Sequence, residues 1–196
     1  EGGLEDAKDY EVTAKDPAGN VSDKETITGD TTAPDAPVVD GFTNNDDNST
    51  TVTGTAEAGS TVEVTDPVTG EVVGSGKADG DGKFEVVVDG GLEDAKDYEV
   101  TAKDPAGNVS DKETITGDTT APDAPVVDGF TNNDDNSTTV TGTAEAGSTV
   151  EVTDPVTGEV VGSGKADGDG KFEVVVDGGL EDAKDYEVTA KDPAGN

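Results

Sequence analysis

The sequence lacks cysteine, histidine, methionine, tryptophan and arginine, and aromatic residues make up only 4% of its 196 residues. Without cysteine, neither a disulfide framework nor thiol chemistry is available. Without histidine, the side chain that most often binds metals and acts as a general base near neutral pH is missing. No apolar run approaches the roughly 18 residues that cross a bilayer, so we expect no membrane insertion of this segment.

The charge is strongly one-sided, with 46 Asp and Glu residues against 12 Lys and a formal net charge of −34. Such a surface repels nucleic acids and anionic lipids, so we expect no nucleic-acid partner, and it attracts cations. A hydrophobic content of 30% with this charge is typical of a disordered chain. The apolar residues, however, alternate and recur, which indicates a folded β-structure.

The chain repeats with a period of 88 residues. Leu4, Leu92 and Leu180 each open the same LEDAKDYEVTAKDPAGN, and 92 − 4 = 180 − 92 = 88. This period exceeds the roughly 20–50 residues of solenoid repeats and suits a small domain. Boundaries at DTTAPDAP predict the C-terminal part of a preceding repeat at 1–32, a complete repeat at 33–120 and a repeat lacking its last strand at 121–196.

Within the complete repeat, Val- and Thr-rich runs alternate with turn residues about every 8–12 positions, the pattern of an immunoglobulin-like sandwich. The predicted fold class is therefore all-β, with tandem seven-stranded immunoglobulin-like β-sandwich domains arranged end to end. Strands are predicted near 36–39, 50–57, 60–66, 70–77, 83–88, 97–104 and 109–117. The phase of the fourth strand, which contains two glycines, stays ambiguous.

The predicted core of each repeat is thin, since its only aromatic residues are those equivalent to Phe42, Phe84 and Tyr98. Tyr98, six residues after Leu92, is either a tyrosine corner or a plain core aromatic. The complete repeat carries 20 acids and 5 Lys, a net charge of 5 − 20 = −15. A domain this small is marginal by hydrophobic burial alone, so we expect a bound cation to help hold it together.

Strand reversal sorts the loops onto two ends of each repeat. Loops 58–59, 78–82 and 105–108 form the N-terminal pole, where the chain enters, and loops 43–48, 67–70 and 89–96 form the C-terminal pole. The linker 118–123 is therefore expected to meet the loops 166–170 and 192–196 of the next repeat, and to lie close to residues 44–48. All these segments offer oxygen ligands.

The motifs APDAPVVDGF, VTGTAEAGSTVEV, GKADGDGKFEVVV and YEVTAKDPAGNVSD together resemble the bacterial Ig-like repeats of giant surface adhesins, of which the biofilm-associated, Bap-like proteins are the best known. The resemblance extends over the whole 88-residue period. It implies a secreted or anchored extracellular stalk on a bacterial surface. It also implies calcium between successive domains, since some relatives bind it there and are stiffened by it.

Calcium takes about 6–8 oxygen ligands on backbone that can bend around it, whereas magnesium prefers small octahedral sites. Several structural Ca²⁺ ions per chain are thus expected, in the glycine-rich acidic turns and, by resemblance, at the linkers. The predicted metal ligands are Asp30, Asp35, Asp79, Asp81, Asp104, Asn108, Asp118, Asp123, Asp167, Asp169, Asp192 and Asn196.

Simpler interpretations of the same residues stay open. Asp104 to Asn108 also fits an Asx-type hairpin with Gly107 at positive φ, and residues 44–48 favour a solvated loop over a metal site. Asp79-Gly-Asp81-Gly matches only the first part of an EF-hand loop. Paired carboxylates can hydrolyse glycosides, but here they lie on turns copied in every repeat, so we expect no enzyme.

The sequence thus favours a structural stalk of a surface adhesin that is stiffened by calcium and supports adhesion and biofilm formation. Its partners are then the neighbouring repeats of the same chain. The alternative is a calcium-dependent homophilic binding module that contacts identical repeats on other molecules and mediates cell–cell accumulation. The last strand missing from 121–196 has a copy at 21–30. The sequence is therefore expected to be either a window of a longer array or a chain that donates this strand to the end of another chain in a head-to-tail assembly.

Overall fold

The computed structural model describes residues 3–196, which form fifteen β-strands and no helix. The alternation of Val and Thr with polar residues therefore specifies strands throughout, and the predicted all-β class is confirmed. Within the described residues there is consequently no helix of the length and apolarity that crossing a membrane requires.

The complete repeat contains the seven strands that the sequence predicts. Their hydrogen-bonded order is β3-β4-β7-β6-β5-β8-β9. They are β3 (Val38–Asn44), β4 (Thr50–Thr55), β5 (Thr61–Thr65), β6 (Val72–Lys77), β7 (Lys83–Val88), β8 (Asp97–Lys103) and β9 (Glu113–Thr116). They follow β1 (Asp9–Val12) and β2 (Glu25–Thr28) of the first 32 residues.

The repeat at 121–196 is a sandwich of two three-stranded sheets, with orders β10-β11-β14 and β13-β12-β15. Its core contains Phe172 and Val174 from one sheet and Val150 and Val152 from the other, all at most 3% exposed. Leu180 packs against this cluster. The strands are β10 (Val126–Asn132), β11 (Thr138–Thr143), β12 (Thr149–Asp154), β13 (Glu159–Lys165), β14 (Lys171–Val176) and β15 (Glu187–Lys191).

The burial of residues along the strands follows the alternation of their apolar side chains. Exposed and buried residues alternate along β7, and Val62 and Val64 of β5 are completely buried. The ambiguous phase of the fourth strand, β6, has a physical cause. The register of β6 against β5 shifts between Val64, which pairs with Gly74, and Thr65, which pairs with Val72. A bulge at this point breaks the alternation that a sequence pattern relies on.

Two predicted strand boundaries were wrong. The first strand, predicted at 36–39, begins at Val38 and continues to Asn44, because DGFTN extends the strand and Pro37 before it has no N–H for a ladder. The last strand, predicted at 109–117, is only an isolated bridge at Val109 followed by β9. An extended segment that forms only one or a few ladder pairs has the same sequence pattern as a full strand.

The aromatic residues divide into two groups. Phe84 and Tyr98 are 4% and 2% exposed, but Phe42 is half-buried and its counterpart Phe130 is 63% exposed, so its expected place in the core was wrong. The tyrosine corner is present: the hydroxyl of Tyr10 accepts from the Glu5 N–H at 2.8 Å, and the hydroxyl of Tyr186 accepts from the Glu181 N–H at 3.1 Å.

The strand copy at 21–30 is paired within its own chain. Strand β2 lies antiparallel to β1, with Ile27 opposite Tyr10. This pairing leaves Ile27 43% exposed, whereas Ile115, its counterpart in β9, is 8% exposed. Of these four residues, the isoleucine is therefore buried only in the complete repeat, and the other three are exposed in both copies.

Backbone contacts group the chain into two compact units. The first contains residues up to 40 with 53–87 and 97–115, and the second contains 41–52, 88–96 and 116–196. The first linker and the turn at 104–108 lie in the first unit, and the second linker and the turn at 192–196 lie in the second. Each linker therefore has its neighbouring loops inside a single unit.

Gly54 provides a test of the core. A Cβ at this position would lie 2.2 Å from the Val38 carbonyl oxygen and 2.8 Å from Phe84 Cζ. We expect Gly54→Ala to lower the free energy of unfolding by about 1–3 kcal/mol, because the methyl group overpacks a buried strand. Urea unfolding measures the change. Gly80→Ala, where nothing lies within 4 Å of the new Cβ, is the control; an equal loss in both variants contradicts the prediction.

Candidate functional site

Two turns with the sequence Asp-Pro-Ala-Gly-Asn, at 104–108 and 192–196, contact the linker that precedes their repeat. In the turn at 192–196, Asp192 Oδ1 accepts from the Asn196 N–H at 2.9 Å, and the Asp192 carbonyl accepts from the Gly195 N–H at 3.1 Å. Gly195 has φ +92°, a conformation that glycine adopts without strain. The predicted Asx-type hairpin is thus confirmed.

The equivalent turns at 104–108 and 16–20 have the same hydrogen bonds. Burial disfavours the charged form of Asp104, which is 6% exposed, but hydrogen bonds from Asn108 and the Gly107 N–H outweigh it and hold the pKa of this carboxyl below its usual value. The side chain and N–H of Asn20 likewise lower the pKa of Asp16. These hydrogen bonds therefore favour the charged form of Asp104 and of Asp16.

The second linker is bound directly by the turn ahead of it. The Asn196 side chain donates from Nδ2 to the Asp118 carbonyl oxygen at 3.1 Å and to Asp192 Oδ2 at 2.9 Å. The same carbonyl oxygen accepts from Asn44 Nδ2 at 2.5 Å. Two side-chain amides therefore share one backbone oxygen of the linker.

Asn44, at the end of β3, contacts this turn in two further ways. Its Nδ2 donates to Asn196 Oδ1 at 3.0 Å, and its backbone N–H donates to the Ala194 carbonyl at 2.7 Å. Each such hydrogen bond contributes about 0.5–1.5 kcal/mol net. The expected approach of the linker to the turn at 192–196 and to residue 44 is confirmed.

The linker is also bound from the loop behind it. Asp94 Oδ1 accepts from the Thr119 N–H at 2.9 Å and from the Thr120 hydroxyl at 3.2 Å. At the first linker, Asp6 Oδ1 accepts from the Thr31 N–H at 2.8 Å, and this bond lowers the pKa of Asp6. The loop at the C-terminal pole therefore fixes the start of each linker.

The first linker repeats the contact ahead of it as well. Asn108 Nδ2 donates to the Asp30 carbonyl oxygen at 3.3 Å and to Asp104 Oδ2 at 2.7 Å. These are the counterparts, 88 residues earlier, of the bonds from Asn196 to Asp118 and Asp192. The contact is thus a property of the repeat.

The family model for the bacterial Ig domain matches residues 33–118 and again residues 121–196. The chain belongs to the bacterial Ig domain family. No match is found among curated proteins.

One similar solved structure is described as "Biofilm associated protein - BSP domain". The sequence identity is 26% over 80% of this chain, and the TM-score is 0.34. The chain spans only 26% of the length of that structure. The family assignment therefore rests on the two matches to the bacterial Ig domain.

The remaining predicted ligands of the Ig domains lie on exposed positions, where two of them accept from backbone N–H groups. Asp79 Oδ1 accepts from the Asp81 and Lys83 N–H groups at 2.9 Å, and Asp167 binds the N–H groups of Asp169 and Lys171 in the same way. Asp35 and Asp123 are exposed beside Glu57 and Glu145. In the turns, these carboxylates act as acceptors for backbone N–H groups.

The second linker and the turn at 192–196 bring together oxygen atoms of three kinds, from a backbone carbonyl, a carboxylate and a side-chain amide. Within residues 3–196, no three acidic side chains lie together as a cluster that could hold an ion, and no buried side-chain polar atom lacks a partner. The oxygens near the linker are the Asp118 carbonyl, the Asp192 carboxylate and the Asn196 amide. Calcium accepts all three kinds of oxygen, and in this structure each of them accepts a side-chain amide N–H from Asn44 or Asn196.

Sequence reasoning missed two residues that bind the linker, Asn44 and Asp94. Asn44 was grouped with a loop expected to be solvated, because β3 was predicted to end five residues earlier. Asp94 lies in LEDAKDY, which carries no pattern beyond a turn. The signal that was available is the adjacency of both loops at the C-terminal pole.

Sequence reasoning also missed the buried acid Asp154, which is 5% exposed. Its Oδ2 lies 2.9 Å from Lys184 Nζ, and its Oδ1 accepts from the Val156 N–H at 2.9 Å. Lys184 also pairs with Glu181 at 2.9 Å. The hydrogen bonds from Lys184 and Val156 lower the pKa of Asp154 from 3.8 to about 2.

This pair predicts how the last Ig domain responds to acid. Because the folded-state pKa lies below the ordinary value, the ionised Asp154 stabilises the fold above pH 3.8, and this stabilisation is lost as the pH falls toward about 2. We expect Asp154→Asn to be less stable than wild type at pH 7. Between about pH 4 and pH 2, we expect this variant to lose less stability than wild type does. Thermal unfolding across pH measures both. Asp169→Asn, on an exposed turn, controls for the loss of one negative charge.

Proposed function

We propose that this chain is part of the stalk of a bacterial cell-surface adhesin, in which Ig domains act as structural spacers and support adhesion and biofilm formation. Its location is then extracellular, either secreted or anchored at the cell surface. Membership of the bacterial Ig domain family supports this proposal, and domains of this family are typically non-enzymatic. The resemblance of the repeats to those of giant adhesins points in the same direction.

The observation that carries the proposal is the way in which the linker is bound. Asp94 binds the Thr119 N–H from the loop behind, and Asn196 binds the Asp118 carbonyl from the turn ahead. A linker with contacts on one side only would swing freely. Contacts on both sides suit a spacer, whose task is to pass an orientation from one domain to the next.

The repetition of these contacts supports the same function. Asp30 and Asp118 are 88 residues apart, as are Asn108 and Asn196, and both pairs form the same hydrogen bond. Because the repeats are nearly identical in sequence, no repeat has a binding site that the others lack. Every linker of a longer array would thus have one geometry, which is the requirement for a stalk.

We extend the proposal to calcium at the linkers. A net charge of 5 − 20 = −15 in the complete repeat places like charges on both sides of each linker, and a divalent cation would remove this repulsion. The residues that would hold it are the linker acids Asp30 and Asp118 with the turn residues Asp104 and Asp192. Calcium suits their mixture of carboxylate and carbonyl oxygens on bent backbone.

Small-angle scattering tests the calcium proposal. We expect a chelator to raise the flexibility of the chain or to shorten the particle, because unneutralised acids at the linkers repel. Sodium chloride at the same ionic strength is the control, since screening alone weakens repulsion. Profiles that superimpose with and without calcium contradict the stiffening.

A matched pair of variants locates the effect in the linker. Asp192→Asn removes a carboxylate from the turn that binds Asp118, and Asp16→Asn makes the same change in the first turn of the chain. The proposal expects a smaller calcium response only in Asp192→Asn. Equal responses in both variants would assign the effect to bulk charge.

A homophilic binding module is the second candidate function. Val68 and Val156 are 84% and 85% exposed at the tips of identical loops. An apolar residue presented at the same place in each repeat favours contacts between copies of the chain. In this function, calcium would act by neutralising the charge that keeps the copies apart.

Sedimentation over a calcium titration separates the two functions. The stalk predicts a monomer at every calcium concentration, because its contacts lie within the chain. The homophilic module predicts dimers that form with calcium and are lost in Val68→Ser or Val156→Ser. Dimers that persist in both variants contradict the assignment of the contact to these loops.

A further inference from the structure

The side-chain amide of Asn44 is oriented before any turn meets it. Thr50, 1% exposed, accepts from the Leu92 N–H at 3.0 Å and donates its hydroxyl proton to Asn44 Oδ1 at 2.8 Å. A threonine hydroxyl has only one proton to give. With its oxygen bound by Thr50, the Asn44 amide directs its N–H donors toward the linker and the turn at 192–196.

The same relay is present in the following repeat, where no turn is bound to it. Thr138 accepts from the Leu180 N–H at 3.1 Å and donates to Asn132 Oδ1 at 2.9 Å. Asn132 is exposed, whereas Asn44 is half-buried. The repeat alone therefore builds this arrangement, and docking of the turn is not its cause.

The turn at 192–196 complements this surface closely. Asn44 Nδ2 finds two acceptors, the Asp118 carbonyl and Asn196 Oδ1, and the Asn44 N–H finds the Ala194 carbonyl. A Cβ on Gly195 would lie 3.1 Å from Thr43 Cγ2 and 3.3 Å from the Asn44 carbonyl oxygen, so the fit leaves little room for a larger residue.

We propose that the asparagine at the end of the first strand of each repeat, held by its threonine, is a docking surface for the Asp-Pro-Ala-Gly-Asn turn of another copy of the repeat, and that it holds this turn without a metal ion. All four side-chain N–H donors of Asn44 and Asn196 have protein acceptors. The amides thus take the place that a cation would fill among these oxygens. This inference rests on the proposed stalk function and names the contact between its spacers.

Distance measurement between two spin labels tests the docking surface. The chain has no cysteine, so Val68→Cys with Val156→Cys gives one exposed label in each repeat. In chelator, we expect a narrower distance distribution for the otherwise wild-type chain than for Asn44→Ala. Asn132→Ala removes the equivalent hydrogen bond to Thr138 but no contact with a turn. The distance distribution of this variant is expected to stay as narrow as that of wild type. Equal distributions for Asn44→Ala and Asn132→Ala overturn the proposal.

A second pair of variants tests the orienting role of Thr50. Thr50→Val removes the hydroxyl that fixes the Asn44 amide, and Thr50→Ser retains it. The distribution is expected to broaden in Thr50→Val and to stay narrow in Thr50→Ser. Thr138→Val, which removes the equivalent hydroxyl, controls for a loss of domain stability. Broadening in Thr138→Val equal to that in Thr50→Val overturns the orienting role.

Repeating the measurement with calcium keeps this inference distinct from the calcium proposal. A wild-type distribution that is broad in chelator and narrows only with calcium overturns metal-free docking and leaves the stalk intact. A distribution that is narrow in both conditions, and broadens in Asn44→Ala, supports docking even where calcium changes nothing in the scattering.

Discussion

One backbone oxygen, the carbonyl of Asp118, organises the second linker. It accepts from Asn44 of the repeat behind and from Asn196 of the repeat ahead. Both bonds converge on a main-chain atom, so they constrain the path of the linker itself and not only a side chain. The tight turn at Gly195 and the end of β3 are both required to bring the two amides to this point.

A large negative charge is compatible with this fold because many acids are used as hydrogen-bond acceptors. Asp79 and Asp104 bind backbone N–H groups of their own turns, and Asp94 binds those of the linker. Asp154 is instead paired with Lys184. Hydrogen bonds to the ionised carboxylate favour its charged form, so the charge is distributed over turns and does not accumulate in the core.

Particular elements explain how far the sequence could be used to predict the structure. Strands β5, β7 and β8 were predicted within a residue or two, because each alternates between a buried and an exposed face. Strand β6 had no clear phase because a bulge interrupts it, and β3 extended beyond its predicted end through a glycine. Because the predicted end of β3 was wrong, Asn44 was not predicted to bind the linker, a function that depends on its position at the end of the strand.

The sequence by itself determined the 88-residue repeat, the all-β class and the acidic turns, because period, alternation and turn composition are local properties. Only the tertiary structure decided which atoms meet at the linker. Asn44, Asp118 and Asn196 are up to 152 positions apart, and no local pattern relates them. Their contact arises because strand reversal brings the loops of one pole together and the linker places the next repeat's turn against them.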